Sequence, residues 1–166
     1  MKGYTSHVFT LMVDNEFGVL TRITALIRRA GWNIRSLAVA ETAVPEISRL
    51  TICLECRHHS FETVLERLGR QSCVREIAVY EPDNQVAREL AILRVENEDE
   101  MSMESLVEQY GAQIIEQSED GRFLCSLCCD AGELDRWLPD LRRLGLVEIA
   151  RTGTIAMQRN LDREEE

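Results

Sequence analysis

A short polar loop near the N-terminus holds residue types that could bind a small anion. Residues 14–18 follow an apolar run and precede an amphipathic pattern, so they lead from a predicted strand into a predicted helix. Asn15 suits the N-cap position, and Gly18 lets the backbone approach a ligand closely. Unpaired N–H groups and the helix dipole would then favour a carboxylate. On this motif alone, an ordinary capped helix with a tolerated glycine stays open as the alternative.

Two other segments bear on the same carboxylate site. Residues 96–100 occupy the matching place in the second half of the chain, and they carry four carboxylates and no glycine. An anion would be repelled there, so a bound carboxylate is expected in the first half. Asn33 opens a predicted strand after Gly31, and its amide can both donate to and accept from an amino-acid headgroup. A turn-stabilising asparagine is an equally good interpretation.

The cysteine spacing suggests a metal site that the predicted strands disfavour. Cys53 and Cys56 form one C-x-x-C pair, and Cys125 and Cys128 form another. Both pairs fall on predicted strands, where residues three apart point to opposite faces. The pairs are separated by nearly a whole domain, whereas zinc-ribbon pairs are about 15–20 residues apart. The sequence therefore predicts buried thiols and no metal.

No catalytic constellation emerges from the sequence. It has no paired-carboxylate context, no Gly-x-Ser-x-Gly and no phosphate loop. His7, His58 and His59 have no nucleophile partner that the sequence identifies. This favours a binding module over an enzyme.

The charge distribution excludes a nucleic-acid partner. Of 166 residues, 29 are acidic and 19 basic, and the excess of acid is confined to residues 83–166, which carry 20 acidic and 9 basic residues. Nucleic-acid binders instead cluster Lys and Arg, and an RNA-binding ferredoxin-like domain would need exposed aromatics on its middle strands. The longest uncharged apolar stretch, residues 7–13, is far shorter than the ~20 residues of a membrane span. With no visible secretory signal, a cytoplasmic protein with reduced thiols is expected.

The apolar periodicity of the first half predicts the elements that position the loop. Alternating and helical spacings predict, in order, a strand at 7–13, a helix at 19–30, strands at 33–42 and 50–54, a helix at 61–68 and a strand at 74–79. Gly31 is expected to end the first helix in a left-handed conformation. This β-α-β-β-α-β order is the ferredoxin-like arrangement.

The second half repeats this order. The predicted elements are a strand at 90–95, a helix at 103–110, strands at 114–115 and 123–127, a helix at 134–141 and a strand at 147–149, with Ile155 a further candidate strand position. Residues 31–34 lie 80 positions before 111–114, and residues 76–78 lie 72 before 148–150. The falling offset indicates shorter connections in the second copy. We predict an α+β fold of two tandem βαββαβ units, residues 1–81 and 86–166.

Three segments of the first unit and three of the second together resemble one known family. They are residues 14–22, 31–37, 48–52, 88–90, 112–116 and 146–153. These segments resemble the regulatory (small) subunit of acetohydroxyacid synthase, also called acetolactate synthase, over nearly the whole chain. The resemblance implies that the first unit is an ACT domain, a ligand-sensing βαββαβ unit. The acidic segment 96–110 departs from the resemblance, because relatives often carry basic residues there.

The resemblance also implies a function in branched-chain amino-acid biosynthesis. The chain would do no chemistry itself but bind a catalytic (large) subunit that uses thiamine diphosphate, magnesium and FAD to condense pyruvate with a second 2-keto acid. It would raise that activity and confer feedback inhibition by valine or a related amino acid such as isoleucine.

The effector of this family sits between two ACT domains, which implies a shared site. Carried over to this sequence, one chain would hold the carboxylate with Asn15, Gly18, Val19 and Leu20, and the other would contribute Asn33 and Ile34. We accordingly predict a homodimer paired through the N-terminal units. The alternative is a free-standing amino-acid sensor that acts on another enzyme or a transcription factor.

Overall fold

A computed structural model describes residues 5–56, 58–80, 82–96 and 106–159. The chain divides into two compact units. Unit 1 comprises Met1–Val86 together with Thr154–Glu166, and unit 2 comprises Ala87–Gly153. The boundaries predicted from sequence placed the whole of 86–166 in the second unit, so the two divisions differ in where the C-terminal segment belongs.

Unit 1 has the predicted βαββαβ order. Its elements are β1 (Thr5–Asp14), α1 (Val19–Arg29), β2 (Asn33–Glu41), β3 (Ile47–Cys56), α2 (His58–Gly69) and β4 (Val74–Val79). The four strands form one antiparallel sheet in the order β2-β3-β1-β4. This confirms the ferredoxin-like prediction for the first half of the chain.

Alternation along β1 and helical spacing along α1 build the core of unit 1. Phe9, Leu11 and Val13 are buried on one face of the sheet, where Ile23 and Ile27 of α1 pack in the same cluster. Gly31, at φ +76°, ends the helix region as predicted, and the Trp32 amide donates to the Ile27 carbonyl 3.3 Å away. These contacts hold α1 against the sheet, and so they also fix the position of the loop that leads into it.

Unit 2 repeats the order of elements found in unit 1. After a 3₁₀ turn at Pro82–Asn84, its elements are β5 (Gln85–Glu96), α3 (described over residues 106–110), β6 (Gln113–Gln117), β7 (Arg122–Asp130), α4 (Glu133–Arg143) and β8 (Leu146–Arg151). The antiparallel sheet runs β6-β7-β5-β8. The predicted first helix of this unit began at 103, and residues 103–105 lie outside the described residues.

A last strand, β9 (Ile155–Gln158), joins unit 1 although it comes at the end of the described chain. It lies against β1. The Arg159 amide donates to the Asn84 carbonyl over 3.1 Å, and Thr154 and Ala156 are buried. These contacts explain why the C-terminal segment groups with the first unit in this division of the chain.

A buried ion cluster ties three elements of unit 2 together. The Arg151 guanidinium on β8 donates to both carboxylate oxygens of Glu89 on β5, at 2.8 and 2.7 Å, and to Asp135 Oδ1 on α4 at 2.7 Å. Glu89 is only 4% exposed. The hydrogen bonds that Arg151 donates to Glu89 and Asp135 raise the pKa of Arg151 above its ordinary value. The guanidinium therefore keeps its charge across the physiological pH range and holds α4 to the sheet.

We predict that Glu89→Gln lowers the free energy of unfolding of unit 2 by roughly 2–3 kcal/mol, because it leaves the half-buried Arg151 guanidinium undercompensated. Urea denaturation monitored by circular dichroism measures the change. The matched control is Glu148→Gln, which removes an exposed partner of Arg94 and should cost less than about 1 kcal/mol. Equal losses for the two variants would contradict a structural role for the buried cluster.

Candidate effector site

Asn15 fastens the N-terminal loop to the turn between β2 and β3. Its Nδ2 donates to Glu41 Oε1 at 3.1 Å and to the Pro45 carbonyl at 2.9 Å. Its backbone N–H donates to the Glu46 carbonyl at 2.8 Å. The predicted N-cap role of Asn15 is wrong, because Gly18 occupies the N-cap position and no side chain caps α1. The residue positions the loop.

Gly18 is the residue that precedes α1. It occupies the N-cap position at φ +82°, and no side chain caps the helix. A Cβ built at Gly18 meets no atom within 4 Å, so the space beside this backbone is open. A side chain there would still be strained, because L-residues rarely adopt such a φ. The prediction that Gly18 allows close approach of a ligand agrees with this geometry.

The N-terminal end of α1 has hydrogen-bond donors to spare. Among the described residues, the amides of Gly18, Leu20 and Thr21 have no hydrogen-bond acceptor, and the Val19 amide reaches the Glu16 carbonyl only at 3.4 Å. No acidic residue lies in the first turn of α1. The helix dipole adds partial positive charge at this end. The arrangement can receive one carboxylate through backbone N–H groups alone.

The start of α4 in unit 2 shows the same backbone conformation with the opposite electrostatics. Gly132 precedes α4 at φ +85°, again without a side-chain cap. Here Glu133 and Asp135 lie in the first turn, and Glu133 Oε2 accepts a hydrogen bond from the Asp130 amide. This helix end carries its own carboxylates. The positive end of α1 is thus open because its first turn has no acidic side chain, and a preceding glycine alone does not produce this.

Two of the predicted contact residues differ in what they can offer. The Val19 side chain is buried in the core of unit 1, so it can reach a ligand only through its backbone. The Leu20 side chain is 43% exposed and lies beside the open helix end.

Nearby, Asp14 accepts a hydrogen bond from Arg75 at 2.5 Å, and this ion pair offsets the negative charge of Asp14.

Asn33 and Ile34 lie at the far end of the same sheet. Asn33 is the exposed first residue of β2 and pairs with Glu55, whereas Asp14, at the entry to the loop, pairs with Ile47. Eight residues of β3 separate Ile47 from Glu55, roughly 27 Å at strand spacing. Ile34 is half-buried against the core. One chain therefore does not bring the predicted residues into one site.

Sequence reasoning missed Glu41 and Pro45, the residues that hold Asn15. Their link to Asn15 spans 26 to 30 positions along the chain. The signal that could have found them is the antiparallel pairing of β1 with β3, which places the end of β1 beside the start of β3.

Five of the six cysteines lie on strands, and Cys73 lies in the turn before β4. Cys53 and Cys56 both lie on β3, where Cys53 Sγ is 3.0 Å from Ser6 Oγ and Cys56 belongs to the helix-side core. Five of the six cysteines are buried, and Cys128 is exposed. Burial raises the pKa of the Cys56, Cys125 and Cys129 thiols. Within the described ranges no group of three or more His, Cys, Asp or Glu side chains could hold a metal ion.

A shallow cavity of about 370 Å³ lies on unit 2. It is lined by Arg94, Glu96, Glu116, Ser118, Arg122, Phe123 and Leu124. Its two guanidinium groups already pair within the chain, Arg94 with Glu148 and Arg122 with Asp120. The Arg122 and Ser118 hydrogen bonds lower the pKa of Asp120 to about 2. The cavity therefore presents no uncommitted cation to a carboxylate.

None of the helices in the described part of the chain has the length and apolar character needed to cross a membrane.

Comparison with known proteins matches both units to one family. Residues 9–76 match the model of the AHAS small subunit-like ACT domain, and residues 88–160 match the model of the small subunit of acetolactate synthase. The first match contains the loop with Asn15 and Gly18 and the start of β2.

Similar proteins align along nearly their full length. A probable acetolactate synthase small subunit of Archaeoglobus fulgidus is 34% identical over 92% of this chain and 96% of its own. The acetolactate synthase small subunit of Mycobacterium leprae is 30% identical over 96% and 95%. The crystal structure of the acetolactate synthase small subunit from Thermotoga maritima superposes with a TM-score of 0.84 at 28% identity, covering 93% of this chain and 98% of that one. The chain belongs to the family of acetolactate synthase small subunits, with an ACT domain as its first unit.

Proposed function

We propose that the chain activates the catalytic large subunit of an acetolactate synthase and makes it sensitive to valine or a related branched-chain amino acid. The observation that carries the effector part is the uncapped start of α1, with its open Gly18 backbone and no acid in the first turn. The large subunit is expected to supply thiamine diphosphate, magnesium and FAD, and the chain itself contributes regulation.

The effector carboxylate binds to the amides at the start of α1. These amides include those of Gly18 and Leu20, which have no acceptor within the described residues. A carboxylate satisfies them and interacts favourably with the helix dipole. Asn15 holds the loop in this geometry through Glu41 and Pro45, so it acts as a positioning residue.

Two chains complete the site through their β2 strands. β2 is an edge strand of its sheet, so its outer N–H and C=O groups are available to another strand. Antiparallel pairing of two β2 strands would bring Asn33, at the start of one, to the end of the other, where Glu41 holds Asn15. The roughly 27 Å between the two halves in one chain makes such sharing necessary. The functional unit is therefore a homodimer.

We predict that valine raises the unfolding temperature and that Gly18→Asp abolishes the rise. Ligand at 100 times its dissociation constant adds about 2.7 kcal/mol, a shift of several degrees in a small domain. The Asp carboxylate would occupy the position of the effector carboxylate. The matched control is Gly132→Asp, which places the same strain at φ +85° in unit 2 and should leave the valine shift intact. A normal shift in Gly18→Asp would mean that this loop is not the site.

We predict that the site is shared between chains, which a mixed dimer tests. Dimers of Gly18→Asp chains and dimers of Asn33→Ala chains each lack intact sites. A dimer with one chain of each kind contains one site whose loop and Asn33 are both unchanged, and it should bind one valine with wild-type affinity. Tandem affinity tags isolate the mixed dimer, and calorimetry counts the sites. A mixed dimer with no tight site would place both halves in one chain.

We predict that Asn33→Ala separates activation from inhibition. Asn33 is exposed at the start of β2, so its loss should not disturb the core. The variant should activate the large subunit normally and respond to valine about tenfold more weakly, since it lacks one polar contact. An acetolactate assay titrated with the small subunit and valine measures both effects. Joint loss of activation and inhibition in a folded variant would contradict the proposed separation.

The assay uses the full chain because β9 belongs to unit 1. A truncation near Asp83 would remove β9 and expose its contacts with β1 and Asn84. The same assay also tests the alternative that the chain is a free-standing amino-acid sensor. A chain that binds valine but changes no large-subunit activity would favour that alternative.

A further inference from the structure

Phe17 is a large apolar side chain with no packing contact in its own unit. It is fully exposed on the turn that precedes Gly18, although the other phenylalanines of the described chain are buried. Its immediate neighbour is the backbone proposed to bind the effector carboxylate. An aromatic ring held free of its own core is typical of a residue that contacts a ligand or a partner.

Other exposed apolar side chains lie on the elements that border the same loop. Leu20, in the first turn of α1, is 43% exposed and lies three residues after Phe17. Val44, in the turn that Asn15 fastens to the loop, is 48% exposed. Residues 14–20 contain no cationic side chain. The side chains beside the amides are exposed and apolar at positions 17, 20 and 44 and acidic at Glu16 and Asp14, of which Asp14 is paired with Arg75.

We propose that Phe17, supported by Leu20, receives the side chain of the effector and selects branched apolar amino acids over small ones. This inference rests on the proposed function, because it assigns a residue to the same site. The backbone amides recognise the carboxylate of any amino acid and cannot discriminate among side chains. Discrimination must come from side chains beside the amides, and Phe17 offers the largest uncommitted apolar surface there.

The test compares valine with alanine on the full chain. Calorimetry measures both affinities in the wild type, in Phe17→Ala and in Val79→Ala, a control whose side chain is 45% exposed on β4, the opposite edge strand. We expect Phe17→Ala to weaken valine binding about tenfold and alanine binding less than twofold, because alanine lacks the branched group that the ring contacts. Val79→Ala should bind both ligands like the wild type. Since Phe17 is outside the core, circular dichroism should show a folded variant.

Three outcomes separate this inference from the function on which it rests. If wild-type chains bind no amino acid, the proposed function fails and the inference with it. If Gly18→Asp abolishes valine binding but Phe17→Ala retains the wild-type ratio of valine to alanine affinity, only the role of Phe17 is overturned. If Phe17→Ala keeps that ratio and instead weakens the dimer or its large-subunit complex, the ring anchors a protein contact and the selectivity assignment is wrong.

Discussion

The antiparallel register between β1 and β3 is the constraint on which the effector loop depends. It pairs Asp14 with Ile47, so the chain leaving β1 meets the turn entering β3, and Asn15 can reach Pro45. A slip of one residue would turn Phe9 and Leu11 out of the core, so the apolar pattern fixes the register strongly. The packing of the sheet therefore determines where the loop lies. The hydrogen bonds of Asn15 then stabilise the loop in that position.

The same register carries Asn33 away from the loop. β2 pairs with β3 over nearly its full length, so the start of β2 lies beside the end of β3. The sheet thus puts the two halves of the candidate site at opposite ends of one unit. Pairing with a second copy of the chain about a twofold axis would be the simplest way to bring them together. In the proposed dimer, ligand binding and subunit pairing would be one equilibrium, because an effector that contacts both chains would stabilise the pair more than the separated chains.

The order of elements could be predicted because strand and helix periodicities are local properties of the sequence. The alternation of Phe9 with Leu11 and Val13, and the glycine at position 31, are readable within a few residues. The errors arose where distant residues decide. Asn15 has good N-cap chemistry, but Gly18 takes the N-cap position, and the Asn15 amide group donates to Glu41 and to the Pro45 carbonyl, 26 and 30 positions away. The grouping of β9 with unit 1 also depends on distant residues, because it follows from contacts with β1.

Two helices of the chain, the first of unit 1 and the second of unit 2, begin with the same backbone conformation but differ in electrostatics. Both α1 and α4 follow a glycine in the left-handed conformation, so the backbone presents similar donors in each. In α4 the acids of the first turn supply negative charge, and Asp135 is also held by Arg151. In α1 the first turn holds apolar and neutral residues, and the positive end stays open. The difference arises from the side chains of the first turn, so one glycine-initiated helix carries its own carboxylates while the other leaves its positive end open.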